Sequence, residues 1–279
     1  MAALYLRFPG GKSKALTFSY DDGVSEDIRL INIFRENGLK GTFNINSGLF
    51  GPESGENTSK WKHRRLSLSE VKRYYTDDVC EVACHCVTHA DLPACDTASA
   101  CLEVLNDRLA LESIFGRQIH GMAYPYGTYN DSVVNILRNA GIYYARTTVS
   151  TLKFSMPTDW LRLPATCHHK NPALNELADR FISLHPNREP QMFYVWGHSY
   201  EFNDDNNWDL IENFSKKISG RDDIWYAKNI ELYYAWLDYQ RLEYTADGSK
   251  VYNPGQRSVW LANIRGETFE VKPGETLTI

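Results

Sequence analysis

Five groups of polar residues in this 279-residue chain carry side chains able to bind a metal or move a proton. They are the adjacent carboxylates Asp21 and Asp22, the histidines His85 and His89 four apart, Tyr124-Pro125-Tyr126-Gly127, Asp159-Trp160, and His198 after Val195-Trp196-Gly197. Imidazole and carboxylate ligate divalent metals and serve as general acids and bases. Each group also has an ordinary structural reading. Asp-Asp-Gly is turn chemistry, a His pair at this spacing arises by chance in a chain with eight histidines, and single Tyr or His residues serve cores and surfaces. What lifts the set above that background is position, because all five fall at predicted strand ends.

The elements that must position them alternate. Residues 16–20 read as a strand ending at Asp21-Asp22-Gly23, after which Ser25 is expected to cap an amphipathic helix that runs to Asn37 and stops at Gly38. A strand begins at Gly41, and Ser67-Leu68-Ser69-Glu70 has the form of a capping box before a second helix. Residues 79–86 are strand-like, 97–115 a long helix, 119–124 a strand and 132–139 a helix ending near Gly141. The same texture continues through 142–147, 173–184, 192–196, 208–218 and 224–226 to a helix over 230–237. Repeated β-then-α units imply an α/β fold with a parallel sheet, open or closed into a barrel, and chemistry at the C-terminal strand ends.

From about residue 242 the chain breaks into short apolar pieces between Ala246-Asp247-Gly248, Asn253-Pro254-Gly255 and Lys272-Pro273-Gly274, which are turn signals. This divides the chain into a 1–241 catalytic unit and a 242–279 extension of β-hairpins packed on it. A formal charge of −5, from 30 Lys+Arg against 35 Asp+Glu without long like-charged runs, speaks against nucleic acid as a partner. Seventeen Tyr and seven Trp are enough aromatic surface to bind sugar rings, although core packing uses the same residues. No stretch is long and apolar enough to span a bilayer, and the N-terminus lacks the h-region of a leader. Six cysteines are too few for a disulfide scaffold of this length. The chain as written is expected in the cytoplasm, or outside it if a signal peptide has been removed.

Taken together these residues resemble the polysaccharide deacetylases of carbohydrate esterase family four. The first family motif appears as Thr17-Phe18-Ser19-Tyr20-Asp21-Asp22-Gly23, slightly expanded, and the second as His85-Cys86-Val87-Thr88-His89, with cysteine in the second place. The third appears as Ala123-Tyr124-Pro125-Tyr126 without its leading arginine, the fourth loosely as Asp159-Trp160, and the fifth as His198. The resemblance spans about residues 14 to 200 and implies an irregular (β/α) barrel with the small β extension at its C-terminus. It further implies a divalent metal, Zn2+ by default, held by Asp22, His85 and His89. Asp21 would be the base toward water and His198 the acid toward the leaving group, with Asp159 compensating the imidazole. The backbone N–H of Tyr126 would stabilise the oxyanion, with Trp160 and Tyr126 walling a pocket for the methyl group. The expected partner is an acetylated carbohydrate, N- or O-linked, with the oligomeric state left open.

In the family the motif-three arginine pairs with the base, which Ala123 cannot do. Arg146 and Arg162, at or just past the next predicted strands, are the candidates to replace it, and His168 is a candidate substrate contact. Two other readings compete: hydrolysis of a non-carbohydrate amide or ureide, and a carbohydrate-binding protein whose catalytic site has decayed.

Overall fold

The computed structural model describes residues 4–57 and 62–279, so the opening Met1-Ala2-Ala3 lies outside the described residues. The elements are β1 (Tyr5–Arg7), β2 (Lys14–Asp21), α1 (Asp27–Glu36), β3 (Gly41–Ile45), α2 (Leu68–Tyr74), β4 (Cys80–Cys84), α3 (Thr97–Phe115) and β5 (Gly121–Ala123). There follow α4 (Asp131–Asn139), β6 (Tyr144–Ser150), β7 (Leu163–Ala165), β8 (Cys167–His168), α5 (Leu174–Ser183) and β9 (Gln191–Gly197). The chain ends with α6 (Tyr200–Asp204), α7 (Trp208–Ile218), β10 (Ile224–Tyr226), α8 (Asn229–Gln240), β11 (Glu243–Tyr244), β12 (Lys250–Tyr252), β13 (Val259–Ala262), β14 (Thr268–Val271) and β15 (Thr276–Thr278).

All eight residues of β2 are buried, as in a strand covered on both faces. Its side chains alternate. Leu16, Phe18 and Tyr20 join the large apolar layer that also holds Leu30 and Phe34 of α1 and Phe43 of β3. Thr17, Ser19 and Asp21 point the other way, into a polar lumen. There Thr17 donates to Asn229, and Asn44 donates to both Ser19 and Asp21. Ser25 does not cap α1: its hydroxyl donates to Glu26, and the helix begins at Asp27 without a side-chain cap. Ser67 and Glu70 do form the capping box of α2.

The parallel sheet runs β7-β6-β5-β4-β3-β2-β9-β8, with β10 beside the first half of β2. Its two end strands are consecutive in the chain, separated only by Thr166. The Thr166 N–H donates to Tyr194 O of β9 at 2.8 Å, and Leu152 N–H, just past β6, donates to Thr166 O at 2.9 Å. One short stretch therefore pairs with β6 on one side and β9 on the other, closing the sheet as an irregular (β/α) barrel. At the N-terminal end of the lumen the buried Glu81 carboxylate accepts from Tyr144 Oη at 2.7 Å, Thr42 Oγ1 at 2.8 Å and Ile230 N at 2.9 Å, which seats the start of α8. Gly121 makes room for this arrangement: a Cβ there would lie 2.1 Å from the Tyr144 hydroxyl oxygen.

The tail forms strands, but not only local hairpins. β13 pairs with β14 and with β1 from the N-terminus, while β12 pairs with β11 and with β15. Among the described residues no helix is long and apolar enough to cross a membrane.

Candidate active site

Asp21 is the last residue of β2 and keeps the inward direction of its strand face. Asp22 turns away, because its backbone is left-handed with φ 87°, and Gly23 follows at φ 66°. Two adjacent carboxylates thus reach different places. The His85–His89 segment uses the same device, with Cys86 at φ 63° and His89 at φ 59°, as does Tyr126 at φ 58°. For residues other than glycine this conformation costs on the order of 1 kcal/mol each and persists only where surroundings enforce it. Here the enforcement is visible. Buried Asp107 of α3 accepts from the backbone N–H groups of Ser47 and His85 at 2.8 and 2.9 Å, and Asn46 donates to the carbonyls of His85 and Cys86.

The ligand atoms of Asp22, His85 and His89 all lie within 4.8 Å of one another. Asp22 Oδ1 is 4.0 Å from His85 Nε2 and 3.8 Å from His89 Nε2. Tetrahedral zinc with bonds of about 2.1 Å asks for donors about 3.4 Å apart, so a small inward adjustment closes the set. Tautomer and charge also fit. His85 Nδ1 bonds to Ala123 O at 2.8 Å, which places the proton there and turns the Nε2 lone pair toward Asp22. Burial pushes His85 down to about 4 and lowers His89 as well, so both rings are neutral donors. For Asp22, burial alone would raise the pKa, but Arg65 and the surrounding imidazoles hold it below the ordinary value.

Arg65 was not visible as a site residue in the sequence. It is nearly buried and bridges Asp22 Oδ1 and Asn46 Oδ1, both at 3.1 Å. Its only sequence signal is the basic run Lys62-His63-Arg64-Arg65 ahead of the capping box.

Asp21 accepts from Asn44 Nδ2 on one oxygen at 2.8 Å and from Arg146 on the other. The pair is 1% and 2% exposed, which makes it a true interior ion pair. Arg146 stands on β6 in register with Ala123 of β5, so the guanidinium enters from the strand beside the one that carries motif three. The small side chain of Ala123 leaves it room. Arg146 also lies over the Trp196 ring, 4.2 Å from the centroid. Arg162 does not reach Asp21; it bonds to Asp159 and Asp131 at the barrel's outer surface.

A cavity of about 470 Å³ joins Asp21, Asp22, His85, His89, Tyr126 and His198. Tyr126 is 60% exposed on its wall and meets the His89 ring edge-on at 4.5 Å. Trp160 is absent from this wall: it packs against Tyr233 and Trp236 of α8 in the second apolar cluster, and the indole at the cavity is Trp196. Asp159 caps the turn at Leu161 and binds Arg162, so it does not support His198. Glu201 does, accepting from His198 Nδ1 at 3.4 Å and from its backbone N–H at 3.1 Å. His168 lies outside the cavity wall with Nε2 3.1 Å from the same Glu201 oxygen. Burial would lower His198, but Glu201, Asp21 and Asp22 outweigh it and raise the imidazole above its ordinary value.

Residues 9–145 match the polysaccharide deacetylase family. Among solved structures, a protein described as a polysaccharide deacetylase from Mycobacterium smegmatis is 15% identical, with 86% of this chain and 96% of that one aligned at a TM-score of 0.59. A family 4 carbohydrate esterase from Streptomyces lividans in complex with acetate is 16% identical over 76% of this chain and 91% of that one, at a TM-score of 0.50. A deacetylase from Streptococcus pyogenes, also in complex with acetate, is 22% identical over 47% of this chain and 55% of that one, at a TM-score of 0.41. This chain thus spans about half the length of the Streptococcus protein. At these identities the structural likeness concerns the fold. No curated protein matches the chain.

Proposed function

Because residues 9–145 match the polysaccharide deacetylase family, we propose that the chain hydrolyses an acetyl group from a carbohydrate, with a divalent metal held by Asp22, His85 and His89. The observation that carries this reading is the shared cavity. Three neutral or anionic donors meet at one spot, a carboxylate outside that trio is held by Arg146 and Asn44, and His198 Nε2 stands 3.9 Å from the same carboxylate.

The roles follow from these contacts. Asp21 has both oxygens engaged, which fixes its direction, and it takes the proton of the attacking water. A bound divalent ion, zinc on this donor set, would supply Lewis acidity and a lowered water pKa. The N–H of Tyr126, presented by its left-handed backbone, donates to the developing oxyanion. His198, raised above its ordinary pKa, holds its proton to higher pH than a free imidazole and gives it to the departing nitrogen or oxygen. Tyr126 and Trp196 supply aromatic surface beside the reacting group, which suits a sugar ring.

His85→Ala and His89→Ala test the assignment. Both should lose bound metal by elemental analysis and release of acetate from an N-acetylated oligosaccharide, while the circular dichroism spectrum stays that of the parent. Full metal content in both variants would remove the ligand set.

A further inference from the structure

His168, His198 and Glu201 form a second group whose ligand atoms lie within 4.8 Å of one another, the spacing a metal would need. Proton positions argue against a metal there. The backbone N–H of Lys170 donates to His168 Nδ1 at 3.1 Å, so that nitrogen carries the lone pair and the proton of the neutral ring sits on Nε2. Nε2 is the atom 3.1 Å from Glu201 Oε2. A cation bound at Nε2 would require the imidazolate, whereas an N–H donating to a carboxylate needs nothing unusual.

We propose that Glu201, which lies outside all five family motifs, is the positioning residue of His198, and that His168 holds Glu201 in place by donating to it. The inference rests on the reading of His198 as the acid. Its basis is directional. Glu201 Oε2 takes the N–H of His198's own backbone at 3.1 Å and faces its Nδ1 at 3.4 Å, so the Nδ1 proton is held and Nε2 is turned toward Asp21 and the cavity. The spacing of three residues is set by α6, in whose first turn Glu201 stands. Asp159, the family-analogous candidate, is committed to Leu161 and Arg162.

The remaining polar surroundings do not supply this function. His169 Nε2 lies 3.3 Å from Glu201 Oε2, but burial pushes that ring down to about 3, so it is neutral. Lys170 Nζ is 3.6 Å from Glu201 Oε1 and is engaged more closely by Asp205 at 2.6 Å. Asp21 and Asp22 face His198 from β2 and its end, and Tyr200 from α6 is 5.1 Å from its ring. None of these contacts Nδ1. The hydrogen bonds from His168 and His198 hold Glu201 well below the usual carboxylate range despite burial, so it stays ionised opposite the imidazole.

The test compares Glu201→Gln, Glu201→Asp and His198→Ala in the full chain on an N-acetylated chitooligosaccharide and on 4-nitrophenyl acetate, whose phenolate leaves without a proton. Glu201→Gln should lower kcat/KM for the amide by about 10–100-fold, and the fall in rate at high pH should begin about one unit earlier. Aryl ester cleavage should change by less than about twofold, metal content should be unchanged, and Glu201→Asp should restore part of the alkaline range. An unmoved alkaline limb in Glu201→Gln, with amide activity lost in His198→Ala, would overturn the role of Glu201 alone. Full amide activity in His198→Ala would instead overturn the reading of His198. A second equivalent of zinc bound by the parent and lost in Glu201→Gln would show that the cluster is a metal site. Should the glutamine variant not fold, nitrogen-15 spectra of the parent decide: the neutral His198 should be the Nδ1–H tautomer, and the Nε2–H tautomer excludes the proposal.

Discussion

At the N-terminal end of the lumen Glu81 is surrounded by Thr42, Tyr144 and the start of α8; at the C-terminal end Asp21 is surrounded by Asn44, Arg146 and His198. Both are buried carboxylates on barrel strands, only one or two lumen layers apart. Below, none of Glu81, Thr42, Tyr144, Asn229 or Tyr194 leaves a buried side-chain polar atom unpaired. Above, Asn44 Oδ1, His89 Nδ1, Arg146 Nε and Trp196 Nε1 are all buried without a partner, and four non-glycine residues are left-handed. Unsatisfied groups and strained backbone cost stability, so their presence at this end, beside a lower network that is fully paired, supports the proposed ligand site. The lower network teaches the converse. Polarity in a core is not by itself a functional signal.

Three changes probe this contrast. The largest effect is expected for Asp21→Asn, which should cut deacetylation by about two to four powers of ten with bound metal retained. Turnover near that of the parent would show the upper carboxylate to be as structural as the lower. Next comes Glu81→Ala, which leaves a tyrosine, a threonine and a helix N–H unpaired in the interior. It should lower unfolding free energy by about 3 kcal/mol in denaturant titration while kcat stays within about twofold. A catalytic loss exceeding the loss of stability would break the division between the two ends.

The smallest effect concerns Asp27, a buried carboxyl behind the mouth that accepts from Tyr75 Oη at 2.6 Å and Ser199 Oγ at 2.5 Å. Burial raises it from 3.8 to about 7. The unfolded chain therefore releases this proton more readily than the folded one, and the resulting loss of stability grows from about pH 4 to pH 7 and is flat above. Asp27→Asn removes that dependence. It should gain on the parent between pH 4 and pH 8 by about 1–2 kcal/mol, with the imperfect fit of an amide to two hydroxyl donors allowed for. Parallel melting-temperature profiles for the two proteins would contradict the raised value.

Much of this organisation is readable along the chain. The β-then-α alternation marks the sheet, because parallel strands buried on both faces need long apolar pieces separated by helices, and strand ends at Asp21, His85, Ala123 and Gly197 locate the mouth. Arg146 is readable as one of two candidates because Ala123 lacks the motif-three guanidinium, and the register of β5 with β6 selects it over Arg162. The residues that escape such reading are set by contacts across loops. Arg65 approaches Asp22 from a loop with no periodic texture. Glu201 was legible in principle, three residues after His198 and in a first helical turn, but α6 has only five residues and gives little pattern. Asp159-Trp160 shows the opposite error: the dipeptide matches a motif while its side chains serve a capping turn and an apolar cluster.

Barrel closure through the stretch around Thr166 has a consequence for dissecting the protein. The residues matched by the family end at 145, one position before Arg146 and ahead of the closing stretch, β9 and His198. A fragment cut at that boundary would retain Asp21, Asp22, His85 and His89 yet lack the guanidinium that pairs with Asp21. It would also expose the long edge of β2 that β9 covers over seven paired residues. Homology and foldability therefore divide this chain at different places. The smallest piece able to stand alone must run past His198, since the ring of strands is completed from its C-terminal side.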